Sequence, residues 1–82
     1  MANVPAKITP YVAEVLRREC GGKGWTVLEL AQRAGVDRSH LRGITGGKQS
    51  PKVDTLEKLT EALGLPLSGL FAEAERLRDA KR

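Results

Sequence analysis

A single cysteine, Cys20, and a single histidine, His40, stand in a chain of 82 residues. One of each builds neither a disulfide framework nor, within one chain, a metal site with several thiolate or imidazole ligands. Aromatic residues are as scarce: Tyr11, Trp25 and Phe71 are all there are, so the core has to be aliphatic. No stretch approaches the roughly 18 consecutive apolar residues of a membrane span, and no basic segment followed by an apolar run opens the chain. A cytoplasmic protein with neither membrane nor leader segment is the expectation. No nucleophile with an adjacent base is visible, so enzymatic activity, a cofactor and a small-molecule ligand are not expected.

Charge is present and unevenly placed. The net formal charge is +4, and residues 1–50 hold eight lysines and arginines against four acids, whereas residues 51–82 hold six of each sign. The whole excess therefore lies in the first part of the chain. A basic region points to a polyanionic partner.

Periodicity and turn residues divide the chain into five helices and no strands. Residues 1–8 have no period and contain Pro5, and read as a flexible arm. Thr9-Pro10 reads as a cap followed by proline at the first helical position. Tyr11, Val12, Val15 and Leu16 then line one side of a helix expected to end near Cys20, where GGKG follows. Thr26 and Glu29 have capping-box spacing, with Trp25 and Leu30 placed as a hydrophobic staple. Gly35 stops this second helix, and Asp37 caps a third that Thr45-Gly46-Gly47 closes. Two short helices separated by a tight glycine turn, each with its own start signal, outline a helix-turn-helix. Val53, Leu56, Leu59 and Leu63 repeat at helical spacing in a fourth helix, and Leu70, Phe71, Ala74 and Leu77 in a fifth. The domain is expected to span residues 9–78, followed by a charged tail, 79–82.

The third helix is the odd one. Gly43 lies inside it, at a cost of about 1 kcal/mol relative to alanine, and only Leu41 and Ile44 pack inward. On a helical wheel the opposite side carries Ser39, Arg42, Gly43 and Gly46, flanked by Arg38 and His40. In a helix-turn-helix this outer face enters the DNA major groove while the preceding helix crosses the backbone. Arginine suits that task because its planar fork donates twice to guanine.

From about Val12 to Phe71 the chain resembles the Cro/repressor-type helix-turn-helix domain, the XRE family. The matching pieces are WTVLELAQRAGVDRSHLRGITGGKQSP and VDTLEKLTEALGLPLSGLF. The resemblance implies an all-α, five-helix, lambda-repressor-like fold and a transcriptional regulator, most simply a repressor, that binds a double-stranded DNA operator. It places Arg38, Ser39, His40, Arg42 and Gly43 at the bases, with Gly43 marking close approach of the backbone to DNA. It places Lys48, the amides of Gly46 and Gly47, and Thr26 at phosphates. The family often opens its second helix with glutamine, where this chain has Val27. The GGKG connection looks longer than usual, which brings Lys23 toward the backbone in compensation, while Arg17 and Arg18 read as solvated charges. Such regulators act as homodimers, and Leu70, Ala74 and Leu77 offer a candidate interface, Leu70 and Phe71 also finishing the core. A protein-binding adaptor or coactivator on the same fold is the alternative.

Overall fold

In the computed structural model, which describes residues 4, 5 and 7–80, the chain forms α1 (Thr9–Lys23), α2 (Val27–Ala34), α3 (Arg38–Thr45), α4 (Val53–Leu63) and α5 (Leu67–Ala80). Three of these helices stop in the same way. Gly24, Gly35 and Gly64 take φ of 70°, 70° and 76°, the left-handed region that L side chains rarely adopt. The residue after each glycine, Trp25, Val36 or Leu65, returns its amide to a carbonyl of the last turn (Cys20, Ala31 and Thr60) at 2.9–3.0 Å. That residue is apolar each time and packs against the core, so the stop also aims the chain inward.

α1 packs on α5 and α3, α2 on α4 and α3, and α4 on α5. At the centre Val12, Leu16, Leu30, Leu41, Ile44, Leu56, Leu59, Leu70 and Ala74 are wholly buried, an aliphatic core as the shortage of aromatics requires. Trp25 and Phe71 flank it only partly buried. Cys20 belongs to this core, and its burial, reinforced by the charge of Glu19, raises its thiol above the usual range. No helix among the described residues is long and apolar enough to cross a membrane.

Four expectations change. Within the segment read as an arm, Met1–Asn3 and Ala6 lie outside the described residues, but Val4 and Ile8 are core residues and the Val4 amide donates to the Pro51 carbonyl at 2.9 Å. Two apolar side chains without helical period are enough to dock a short strap. Thr9 is the first helical residue rather than the cap; its hydroxyl donates back to the Pro5 carbonyl at 2.9 Å, and Ile8 occupies the cap position without a side-chain bond. α1 also continues through Gly21 and Gly22 to Lys23, so the connection to α2 is short. Tertiary packing along α1 outweighs the modest propensity cost of two glycines.

The fourth concerns α5. Leu70 and Ala74 are fully buried and Leu77 is only 7% exposed, so the three residues read as a dimer interface are interior to the chain itself. Val4 and Ile8, which the sequence pattern left outside the domain, belong to the same buried cluster. Within the charged tail, Asp79 and Ala80 continue α5, and Lys81 and Arg82 lie outside the described residues.

Candidate nucleic-acid interface

The second helix begins as its sequence requires. The Thr26 hydroxyl accepts from the Glu29 amide at 3.1 Å, and the Glu29 carboxylate accepts from the Thr26 amide at 3.4 Å. Trp25, just before the cap, lies under two cations, with the Arg33 guanidinium 4.3 Å and the Lys23 ammonium 5.4 Å from its ring centre. Lys23 thus sits on the last turn of α1, over an aromatic ring, rather than in an extended loop. Val27, standing where glutamine is common, packs against the core.

The third helix follows one tight turn later. Asp37 caps it, its carboxylate accepting from the His40 amide at 3.0 Å. Leu41, Ile44 and Thr45 face inward and are buried, and the Thr45 hydroxyl donates to the Leu41 carbonyl at 3.0 Å. Arg38, Ser39 and Arg42 are exposed on the outer side, with His40 and Gly43 half-buried between them. The wheel therefore predicts the two faces correctly. Ion pairs among the described residues lie on α1, where Arg18 meets Glu14 at 3.4 Å, and on α5, where Arg76 meets Glu73 at 2.8 Å. Arg38, Arg42 and Lys48 have no ion pair among the described residues, which leaves the outer side of α3 and its following turn positive.

The turn after α3 differs from expectation. The Gly46 amide donates to Arg42 at 2.9 Å and the Gly47 amide to Ile44 at 3.1 Å, so both are engaged in closing the helix instead of standing open for a phosphate. Lys48 is exposed beside them. Lys48 and Gln49 both send their amides to the Gly43 carbonyl, at 2.9 and 3.1 Å. This folds the chain back over α3 and lays the Gln49 side chain on Gly43. A β-carbon on Gly43 would stand 2.7 Å from Gln49 Cδ, inside any real contact distance. Gly43 is thus covered by a side chain of its own protein. The far end of Gln49 meets His40, Oε1 lying 2.9 Å from Nδ1.

Two residues that the sequence pattern does not single out contact α3 from outside it. Gln49 lies outside the helix and off any wheel, so no periodicity marks it. Arg17, read as a solvated charge, donates from its guanidinium to the Thr45 carbonyl at the C-terminal end of α3. Its only sequence signal is the general one that a cation suits a helix C-terminus, and nothing local says which helix.

A helix-turn-helix family model matches residues 16–70, which covers all of α2, α3 and α4. The chain belongs to the helix-turn-helix family of Cro/repressor (XRE) type. Among its relatives, the transcriptional repressor RstR of the cryptic phage CTXphi in Vibrio cholerae is 36% identical over 53 residues, 65% of this chain and 48% of that protein. The transcriptional regulator ClgR of Mycobacterium tuberculosis is 32% identical over 78 residues, 94% of this chain and 70% of that one. The crystal structure of the clp gene regulator ClgR from Corynebacterium glutamicum shares the fold, with a TM-score of 0.82 at 21% identity over 98% of this chain and 83% of that one. The chain spans about half or less of the length of the repressors RstR and the Bacillus phage phi105 immunity repressor.

Proposed function

We propose that this chain is a sequence-specific DNA-binding transcriptional regulator, acting as a repressor, that inserts α3 into the major groove. The observation that carries this reading is the unneutralised outer face of α3, with Arg38 and Arg42 exposed on a helix that Asp37, Leu41 and Ile44 hold against the domain. Arg38 and Arg42 donate to base edges, Ser39 and His40 lie beside them, and Lys48 and the Thr26 hydroxyl at the start of α2 contact phosphates. Lys23 and Arg33, held over Trp25, extend the positive edge at the start of α2. The names of the relatives, repressors and regulators, support the same assignment.

One such head neutralises few phosphates and touches few bases, so binding at cellular salt calls for two copies on half-sites about one helical turn apart. A homodimer is therefore part of the proposal. Because Leu70, Ala74 and Leu77 are interior, the copies meet through another surface. Such a regulator works in the cytoplasm, where the DNA is.

Selection of bound sequences from a random double-stranded DNA pool tests the proposal. An enriched motif with two related half-sites is expected, and Arg38→Ala with Arg42→Ala abolishes the enrichment while helical circular dichroism is kept. DNA binding untouched by the double substitution would sink it.

A further inference from the structure

Gln49 lies beyond the end of α3, yet three independent contacts bring it onto the outer face of that helix. Its amide donates to the Gly43 carbonyl at 3.1 Å. Its side chain rests on the space that Gly43 leaves open, where a β-carbon would lie 2.7 Å from Cδ and 3.0 Å from both Cγ and Nε2. Its Oε1 meets His40 Nδ1 at 2.9 Å. The residue is exposed in spite of these contacts, so it lies at the positive surface rather than in the core.

The chemistry of the pair follows from which atoms are occupied. A free glutamine amide offers an acceptor and a donor side by side, which matches adenine N6 and N7. With His40 donating from Nδ1, Oε1 is occupied and the NH2 group is what remains to meet a base. Such a group favours edges that only accept: N7 and O6 of guanine, or O4 of thymine. Adenine loses the advantage it would have against a free glutamine.

We propose that Gln49 is a specificity-determining residue of this chain, seated on Gly43 and turned by His40 so that it reads one base pair of each half-site by donation alone. This deepens the reading of α3 as a major-groove helix and rests on it. Under it Gly43 leaves the space in which Gln49 lies, and His40 acts as a positioning residue for Gln49. The reading surface thus extends from the helix into its following turn.

The same random-pool selection, run on the wild type, Gln49→Ala and His40→Ala, separates the possibilities. The expected wild-type motif contains one position per half-site that favours guanine or thymine. Gln49→Ala erases that preference, roughly tenfold or more in discrimination for a well-made base contact, and leaves the other positions as they were. His40→Ala alters the same position and no other, raising the share of adenine as Oε1 is released. A Gln49→Ala motif unchanged at every position, with affinity lowered uniformly or not at all, overturns the proposal and leaves the pair a helix-end brace. A His40→Ala motif identical to the wild type overturns the positioning role. Failure of the wild type to enrich any sequence overturns the major-groove reading itself, and this proposal with it.

Discussion

The guanidinium of Arg17 in α1 donates to the carbonyl oxygen of Thr45, 28 residues later at the C-terminal end of α3. This bond ties α3 to the scaffold at the end opposite its Asp37 cap. It satisfies a carbonyl that the helix leaves without a partner and places a cation at the negative end of the helix dipole. Arg17→Ala removes both effects. For a solvent-exposed guanidinium the loss is about 1 kcal/mol, seen as a lower urea midpoint with an unchanged slope. DNA affinity falls alongside, because α3 loses one of its two end restraints, while the base preferences persist. An unchanged midpoint would show that the bond contributes nothing in solution.

Gly43→Ala has the opposite sign on stability. The backbone there is ordinary helix, with no positive φ, and alanine is favoured over glycine in such a position by about 1 kcal/mol. The one obstacle is the flexible, exposed side chain of Gln49, which moves aside. A thermal melt is expected to shift upward by a few degrees, since about 1 kcal/mol corresponds to roughly 4–8 °C in a domain of this size and displacement of Gln49 offsets part of it. A melt that shifts downward would mean that the Gln49 contact outweighs the helix preference.

Leu77→Asp tests where the inner face of α5 belongs. An interface residue would lower the mass of the particle and leave the fold alone. Because Leu77 is buried within the chain, the aspartate is expected to cost about 3–5 kcal/mol. That is a large part of the total stability of a small domain, typically about 5–15 kcal/mol, so chemical denaturation will show a far lower midpoint. Full stability together with halved mass in light scattering would return Leu77 to an interface.

Lys48→Ala separates phosphate contact from base reading. The side chain is exposed and without an ion pair among the described residues, next to a turn closed by its own amides. Binding is expected to weaken equally on all sequences, with the slope of log affinity against log salt reduced by about one. The selected motif should be the same as that of the wild type. A slope left as it was would remove Lys48 from the phosphate contacts.

Features that depend on near neighbours along the chain are legible in the sequence itself. The Thr26–Glu29 box, the Asp37 cap, the glycine stops at Gly35 and Gly64, and the division of α3 into a buried Leu41–Ile44 side and a cationic side all act within a turn or two. Spacing reports such bonds directly. Together with the family resemblance it is enough for the five-helix order and for Arg38 and Arg42 as the outward arginines.

What no spacing can report are meetings between distant segments. Val4 and Ile8 lack a period, so nothing but the cavity they fill shows that they belong to the core. Ala74 and Leu77 look spare on a wheel because the wheel does not contain what covers them. Arg17 could serve any helix end; packing of α1 against α3 selects Thr45. The third helix is the sharpest case. Its caps and apolar side follow from residues 37–45, but what lies over its glycine is Gln49, a side chain returned to Gly43 by the geometry of the turn. Helix-forming bonds are short in sequence and are written into it, whereas side-chain packing depends on the path of the whole chain and appears only once that path is closed.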